Sequence, residues 1–376
     1  MKPRVLMTAS TYGHIRSFHL PYLRRFQELG GETHVACGGT AGELPWTDRA
    51  IDLPFEKSMT SPANLRAASQ LRALMVKEGY RLVIAHTSLA SFFTRLAAKG
   101  LSGRPPIINM MHGYLFDDDS SFTKRTLLLG AEQLTARETD LLLTMNQYDH
   151  ALAQKHRLGR RVANIPGVGV DFSALDRQTR SPADLHTAYG FSPNDFVLLY
   201  AAEFSKRKNQ AMLIRALSAL PSHVKLLLPG RGALLDDCQE LARQLGAAAR
   251  VVFPGFVSPI APLYRLADCA VSSSRSEGLP FNIMEAMYAS LPVVATRVKG
   301  HTDLLTEGIS GLLYPYDDAT AFAGCIFRLL NDPSLAASLG AAAHTAALPY
   351  GRTEVLPQVM EQYLSLPAAA QPAGIP

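Results

Sequence analysis

Apolar residues along this chain gather in short continuous runs, separated by stretches in which they recur every three or four positions. In the first half the runs are "RVLMTAS", "THVAC", "RLVIAHT", "PIINMMHG", "DLLLTMN" and "VANIPG". Their Val, Ile and Leu content and lack of polar alternation predict strands buried on both faces. Between them "LRRFQELG", "LRAASQLRALMVKEG", "ASFFTRLAAKG" and "TKRTLLLGAEQLTARE" keep a helical period. Strands of this kind joined by helices imply a parallel sheet covered on both sides.

The rhythm breaks from Pro166 to Asn194, a stretch rich in Gly, Pro, Ser and Asp that reads as a linker followed by a helix. A second series then runs through "FVLLYAAE", "VKLLLPG", "VVFPGF", "CAVSSS", "PVVATR" and "GLLYP", with "QAMLIRALSAL" and "LLDDCQELARQLG" as helices between. An α/β protein of two doubly wound, Rossmann-like domains facing a central cleft follows, with ligands expected at the carboxyl ends of the strands. The expected boundaries are 1–166 and 167–348, then a helix over 349–366 returning to the first domain, then a disordered tail over 367–376. That helix places Val355, Val359, Met360, Tyr363 and Leu364 on one face despite Pro357.

A length of 376 residues with 47% hydrophobic and 18% charged residues supports two cores and argues against disorder. The net charge of +5 is spread along the chain, which suits anionic small molecules or an acidic membrane surface and argues against nucleic acid. Cys37, Cys238, Cys269 and Cys325 are far apart, without metal-ligand or disulfide-framework spacing, and read as reduced core residues. The apolar run at the start is too brief for a signal peptide, and no run is long enough to span a bilayer. The expectation is a cytoplasmic protein, at most peripheral at the inner face of the membrane.

"SRSEGLPFNIMEAMYASLPVVA", Ser274 to Ala295, carries the chemistry. It reads as a polar strand end, a turn permitted by Gly278, and a helix with Pro280 in its first turn, where a missing N–H costs nothing. The start of that helix favours an anion, and Glu285 lies one to two turns further along. This spacing fits a nucleoside-diphosphate sugar, with Glu285 accepting from ribose hydroxyls and Glu277 from sugar hydroxyls. Two ordinary helix-surface glutamates, one favouring the helix dipole, fit these residues about equally well.

The order of segments across most of the chain resembles the retaining glycosyltransferases of family 4, which have the GT-B fold. The E-x7-E region of that family corresponds to Glu277 and Glu285. "LLYAAEFSKRKNQAMLIRAL", "LLLPGRGALLDDCQELARQLGAAARVVFPGF" and "APLYRLADCAVSSSRSEGLPFNIMEAMYASLPVVATRVKGHTDLLTEGISGLLYP" are similar to its nucleotide-binding core. The first half is similar through "TYGHIRSFHLPYLRRFQELGGETHVAC", "IAHTSLASFFTRLAAKG", "MMHG" and "NIPGVGVDFSAL".

The resemblance implies transfer of a sugar, expected from a UDP-sugar, to a glycan or lipid-linked acceptor in surface polysaccharide assembly. It implies His112 and Glu277 as catalytic residues. Donor binding is assigned to Gly13, His14, Arg207, Lys208, Gly278, Leu279, Pro280, Phe281, Asn282 and Glu285. No cofactor and no metal site are expected, and the donor is a substrate. Glu203 stands where many members carry an arginine, with Lys206, Arg207 and Lys208 nearby as replacement cations. His86 is a further candidate near the first-domain site, and Asp117 to Ser121 read as a solvated loop and helix cap rather than a metal site. Arg16, Arg24, Arg25, Lys57, Arg66 and Arg72 are candidates for contact with anionic lipid, although solvated helix faces account for each. A nucleotide-sugar epimerase on the same fold, or a nucleotide-sugar-binding protein without catalysis, are the competing readings.

Overall fold

Continuous apolar runs become strands because a parallel sheet sandwiched by helices dries both of its faces. In the computed structural model, which describes residues 2–118, 120–178 and 180–367, these strands form two sheets in two compact units. One unit comprises the residues up to Gly169 and those from Thr353 onward; the other is Val170–Arg352. Of the tail expected to be disordered, 368–376 lie outside the described residues, as does Asp119.

The first unit contains β1 (Arg4–Ala9), β2 (Glu32–Gly38), β3 (Arg49–Leu53), β4 (Leu82–His86), β5 (Ile107–Met110), β6 (Leu141–Thr144) and β7 (Arg161–Asn164). Their order is β3-β2-β1-β4-β5-β6-β7, with parallel neighbours throughout. The order reverses between β1 and β4, so the segments after these strands diverge and leave a crevice at their carboxyl ends. β3 was not anticipated from the sequence: as an edge strand it leaves Arg49, Ala50 and Asp52 exposed and buries only Leu53, so it shows no apolar run.

The helix Arg352–Leu364 belongs to this unit from Thr353 onward. It buries Val355, Val359, Met360 and Tyr363, and the Tyr363 ring stacks on Phe26 at 5.9 Å between centroids and 11° between planes. Leu364, read as part of the same face, is half-buried.

The second unit contains β8 (Phe196–Leu199), β9 (Val224–Leu227), β10 (Val251–Val252), β11 (Cys269–Ser272), β12 (Val293–Thr296) and β13 (Leu312–Tyr314), ordered β10-β9-β8-β11-β12-β13. Its core joins Leu198, Tyr200, Leu226, Val271, Val294 and Leu312 of the sheet to Met212, Ile214, Phe322 and Ile326 of the flanking helices. The unit begins and ends at one seam. Val170 N–H donates to Tyr350 O at 2.9 Å, Arg352 N–H donates to Val170 O at 2.8 Å, and Arg352 pairs with Asp171 at 3.0 Å.

Candidate active site

In the second unit β8 and β11 are neighbours, so the loops that follow them meet at one sheet edge. The loop after β8 presents Arg207 and Lys208; the loop after β11 presents Ser273, Ser274 and Glu277. Glu277 is 7% exposed. One of its oxygens meets Lys208 Nζ at 2.5 Å and accepts from Ser274 Oγ at 2.5 Å, while the other accepts from Arg207 Nη1 at 2.8 Å. Ser273 Oγ donates to the carbonyl oxygens of Lys208 and Asn209, at 2.8 and 2.9 Å, and pins the two loops together. Tyr200 Oη lies 2.7 Å from Ser274 Oγ, continuing the network into the core.

Gly300 supports this loop from below. A Cβ at Gly300 would fall 2.7 Å from Gly278 O and 2.9 Å from Glu277 Cβ, and its φ is +82°. Only glycine combines that backbone with that approach.

Burial alone would raise the Glu277 carboxyl, but attraction to Lys208, Arg207 and His301 outweighs it and holds the group at about 2. Burial lowers Lys208, and the adjacent carboxylate opposes that shift. At 2.5 Å both partners are charged. The result is a knot of one carboxylate and two cations, with one positive charge in excess, at the carboxyl edge of the sheet. Arg207 keeps nearly half of its side chain open to solvent.

The helix Phe281–Tyr288 follows directly, apolar inward through Ile283, Met284, Ala286 and Met287. Pro280 is its N-cap residue (φ −78°, ψ 122°) rather than part of its first turn; the ring fixes φ and the extended ψ aims the chain into the helix. Glu285 is half-buried on this helix and accepts from Tyr264 Oη at 2.8 Å. Burial raises its carboxyl above the ordinary range against that hydrogen bond. Leu279 is buried, and Phe281 and Asn282 are half-buried at the helix start. Glu203 is exposed and uses its backbone carbonyl to accept from Gln210 Nε2 at 2.9 Å. The guanidinium of this loop therefore comes from Arg207, four residues later.

In the first unit Gly13 and His14 lie in the helix Tyr12–Phe18. His14 is brought to His112, which follows β5, and to His19 and His86, the last of these ending β4. His14 Nε2 lies 3.3 Å from His112 Nε2 and 3.2 Å from His19 Nε2, and His112 Nε2 lies 3.4 Å from His86 Nδ1. Burial, reinforced by the neighbouring imidazoles, holds His19, His86 and His112 well below the usual histidine range, and burial holds His14 at about 4. All four are neutral at pH 7. The expectation of no metal site did not consider this grouping. Asp118 pairs with Arg125, and Ser121 caps the helix Phe122–Thr135.

Sequence reasoning did not single out His19, Ser274, Tyr264 or His301. His301 is buried beneath Glu277, with Nδ1 2.8 Å from Thr296 O. The only advance signal for any of them is the spacing of His14 and His19 within "HIRSFH".

Two family descriptions match the chain: "Glycosyl transferase 4-like domain" over residues 20–167 and "Glycosyl transferases group 1" over residues 183–346. The chain is 33% identical over 371 residues to the putative glycosyltransferase EpsD of Bacillus subtilis, covering 96% of this chain and 97% of that protein. It is 23% identical over 281 residues to the UDP-Gal:alpha-D-GlcNAc-diphosphoundecaprenol alpha-1,3-galactosyltransferase of Escherichia coli, covering 72% of each. Its fold is similar to that of HepE from Anabaena, solved in complex with UDP-glucose, with a TM-score of 0.78 at 21% identity over 96% of this chain and 100% of that one. With two Rossmann-like sheets and matches across both units, this chain belongs to the group 1, family-4-like glycosyltransferases of GT-B fold.

Proposed function

We propose that this glycosyltransferase takes a sugar from a UDP-sugar and transfers it, with retention, to a glycan or lipid-linked glycan acceptor in surface polysaccharide assembly. The observation that carries the reading is the knot of Arg207, Lys208 and Glu277 at the carboxyl edge of the second sheet, followed by Glu285 on the next helix. A diphosphate arriving there meets two cations already gathered at one point, which is electrostatic preorganisation for a leaving group that gains charge. Glu285 accepts from Tyr264 Oη, and a carboxylate has acceptor capacity for more. Ribose hydroxyls supply those donors and relieve the burial that now opposes its ionisation.

In the reaction the bond from the anomeric carbon to the diphosphate oxygen breaks and a bond to the acceptor oxygen forms. The acceptor proton passes to the released diphosphate on the same face. The protein then contributes position and charge, with Lys208 and Arg207 on the leaving group and Glu277 orienting the sugar once the diphosphate draws the cations away. His112 receives its role against the sugar from the family resemblance alone. No metal takes part in this step, and attachment to the inner membrane face is peripheral.

The test is a panel of sugar nucleotides with purified protein, scoring nucleoside diphosphate release with and without a lipid extract. Release from one UDP-sugar, enhanced by extract, is expected. Glu285→Ala is expected to weaken UDP binding about tenfold or more, as loss of a charged hydrogen-bond acceptor costs about 1.5–3 kcal/mol. Absence of both release and UDP or GDP binding removes the proposal.

A further inference from the structure

The helix Phe122–Thr135 of the first unit carries its polarity reversed. It buries Glu132 and Thr135, while Phe122, Leu127 and Leu134 are 85%, 71% and 53% exposed. Every residue in the ~140° sector from Phe122 round to Leu127 is exposed, and none is charged. A helix facing water ordinarily does the opposite, with apolar residues inward and charges outward. The orientation is fixed from behind, where the fully buried Arg95 meets Glu132 at 2.9 Å and Arg125 pairs with Asp118 at 2.7 Å. Turning the leucines inward would leave Arg95 as a buried, unpaired charge. Leu115, in the loop that carries His112 away from β5, adds a further apolar side chain, 60% exposed.

Cations frame this face. Lys124 is exposed in the first turn, and Arg137 is exposed just past the end, where the exposed Arg160 donates from Nε to its carbonyl oxygen at 3.4 Å. Nearby carboxylates are engaged within the protein: Asp118 by Arg125, Glu132 by Arg95, Glu138 and Asp140 by Arg104. An uncharged apolar strip with cations at both ends complements anionic headgroups above acyl chains. Four apolar side chains present well under the ~800 Å² per partner of a stable protein interface, which argues against a second copy or another protein. Among the cations considered from the sequence for lipid contact, Arg24 and Arg25 pair with Glu28, and Arg16 and Arg72 donate to backbone carbonyls.

We propose that the helix Phe122–Thr135 inserts its outer face, with Phe122, Leu127 and Leu134, into an anionic lipid bilayer, while Lys124, Arg137 and Arg160 lie at headgroup level. The helix follows the loop that leaves β5 and bears His112 and Leu115. Its insertion sets the bilayer surface beside the carboxyl edge of the first sheet, which a lipid-borne acceptor then reaches without leaving the membrane. That the partner is a bilayer rests on the lipid-linked acceptor proposed above.

The experiment measures flotation of the full chain with vesicles of phosphatidylglycerol and phosphatidylethanolamine in equal parts. Phosphatidylcholine vesicles are the control, and neither sugar nucleotide nor acceptor is present. Binding to the anionic vesicles is expected. Phe122→Ser/Leu127→Ser is expected to weaken it about tenfold for each side chain removed. Lys124→Gln is expected to weaken it about fivefold, a loss that vanishes at high salt. All three positions are exposed, so melting temperature and UDP binding are expected to stay unchanged. Phe122→Trp in a Trp46→Phe background, which removes the only native tryptophan, is expected to give blue-shifted emission that brominated acyl chains quench. Full retention of binding by the double variant, emission that bromine leaves unquenched, or no binding to anionic vesicles overturns the proposal. A concentration-dependent dimer that the double variant abolishes assigns the face to a second copy and overturns it too. Vesicle binding is read without turnover, so its failure leaves sugar transfer standing, whereas intact binding with no release from any sugar nucleotide strikes the transfer reading alone.

Discussion

Replacing Glu277 by glutamine keeps the side-chain volume and removes the charge that holds Lys208 and Arg207. The carboxyl lies at about 2 in the folded protein against 4.5 for an unperturbed group. At 1.36 kcal/mol per unit, that difference is worth about 3 kcal/mol of stability at neutral pH. The variant also leaves the Lys208 ammonium, 9% exposed, without its counter-charge. Loss of one partner from a buried pair costs about 3–5 kcal/mol in general, so both routes give a similar figure.

The sign with pH follows from the lowered carboxyl. Its contribution is complete above the unfolded value of 4.5 and is lost as pH falls toward the folded value of about 2. At pH 3 about half of it remains. The assay is urea unfolding followed by far-ultraviolet circular dichroism together with fluorescence of Trp46, the only tryptophan, which lies in the first unit. The variant is expected to lose about 3 kcal/mol at pH 7 in the transition of the second unit, with the Trp46 transition unmoved. At pH 3 the difference is expected to fall by about half. A difference below about 0.5 kcal/mol at pH 7, or one equal at both pH values, refutes the ion-pair account.

Two glycines in helices of the second unit form a matched pair. A Cβ at Gly340 would lie 2.2 Å from Ser290 O, whereas one at Gly324 meets nothing within 4 Å. Gly340→Ala is expected to destabilise by about 1–3 kcal/mol and Gly324→Ala to stabilise by about 0.5–1 kcal/mol in the same urea assay; opposite signs would contradict the packing described. Tyr363→Ala removes a fully buried ring stacked on Phe26 and is expected to cost about 3–5 kcal/mol. Here the Trp46 transition should move and that of the second unit should not.

The strands buried on both faces were readable one by one, because each had to be apolar throughout. β3 was not, since an edge strand with Arg49 and Asp52 open to water carries no such mark. At the site, the local reading of Ser274 to Ala295 anticipated a strand end, a turn and a short helix in the right order. It did not anticipate that Glu277 binds Lys208 and Arg207, which are 69 and 70 residues away. That contact exists because β8 and β11 are hydrogen-bonded neighbours, and strand order is a property of the whole sheet.

The chain's own pattern determined what could be decided within a segment. That includes strand or helix, buried or wet, the division into two units, and the kind of residue at each strand end. Only the tertiary structure decided which strand ends stand side by side. His14 and His112, 98 positions apart, meet because β1, β4 and β5 are adjacent, and His86 joins them at the end of the middle strand. Local sequence sets conformation through short-range sterics and burial. Convergence of distant side chains depends on sheet order and register, which the packing of the complete unit selects.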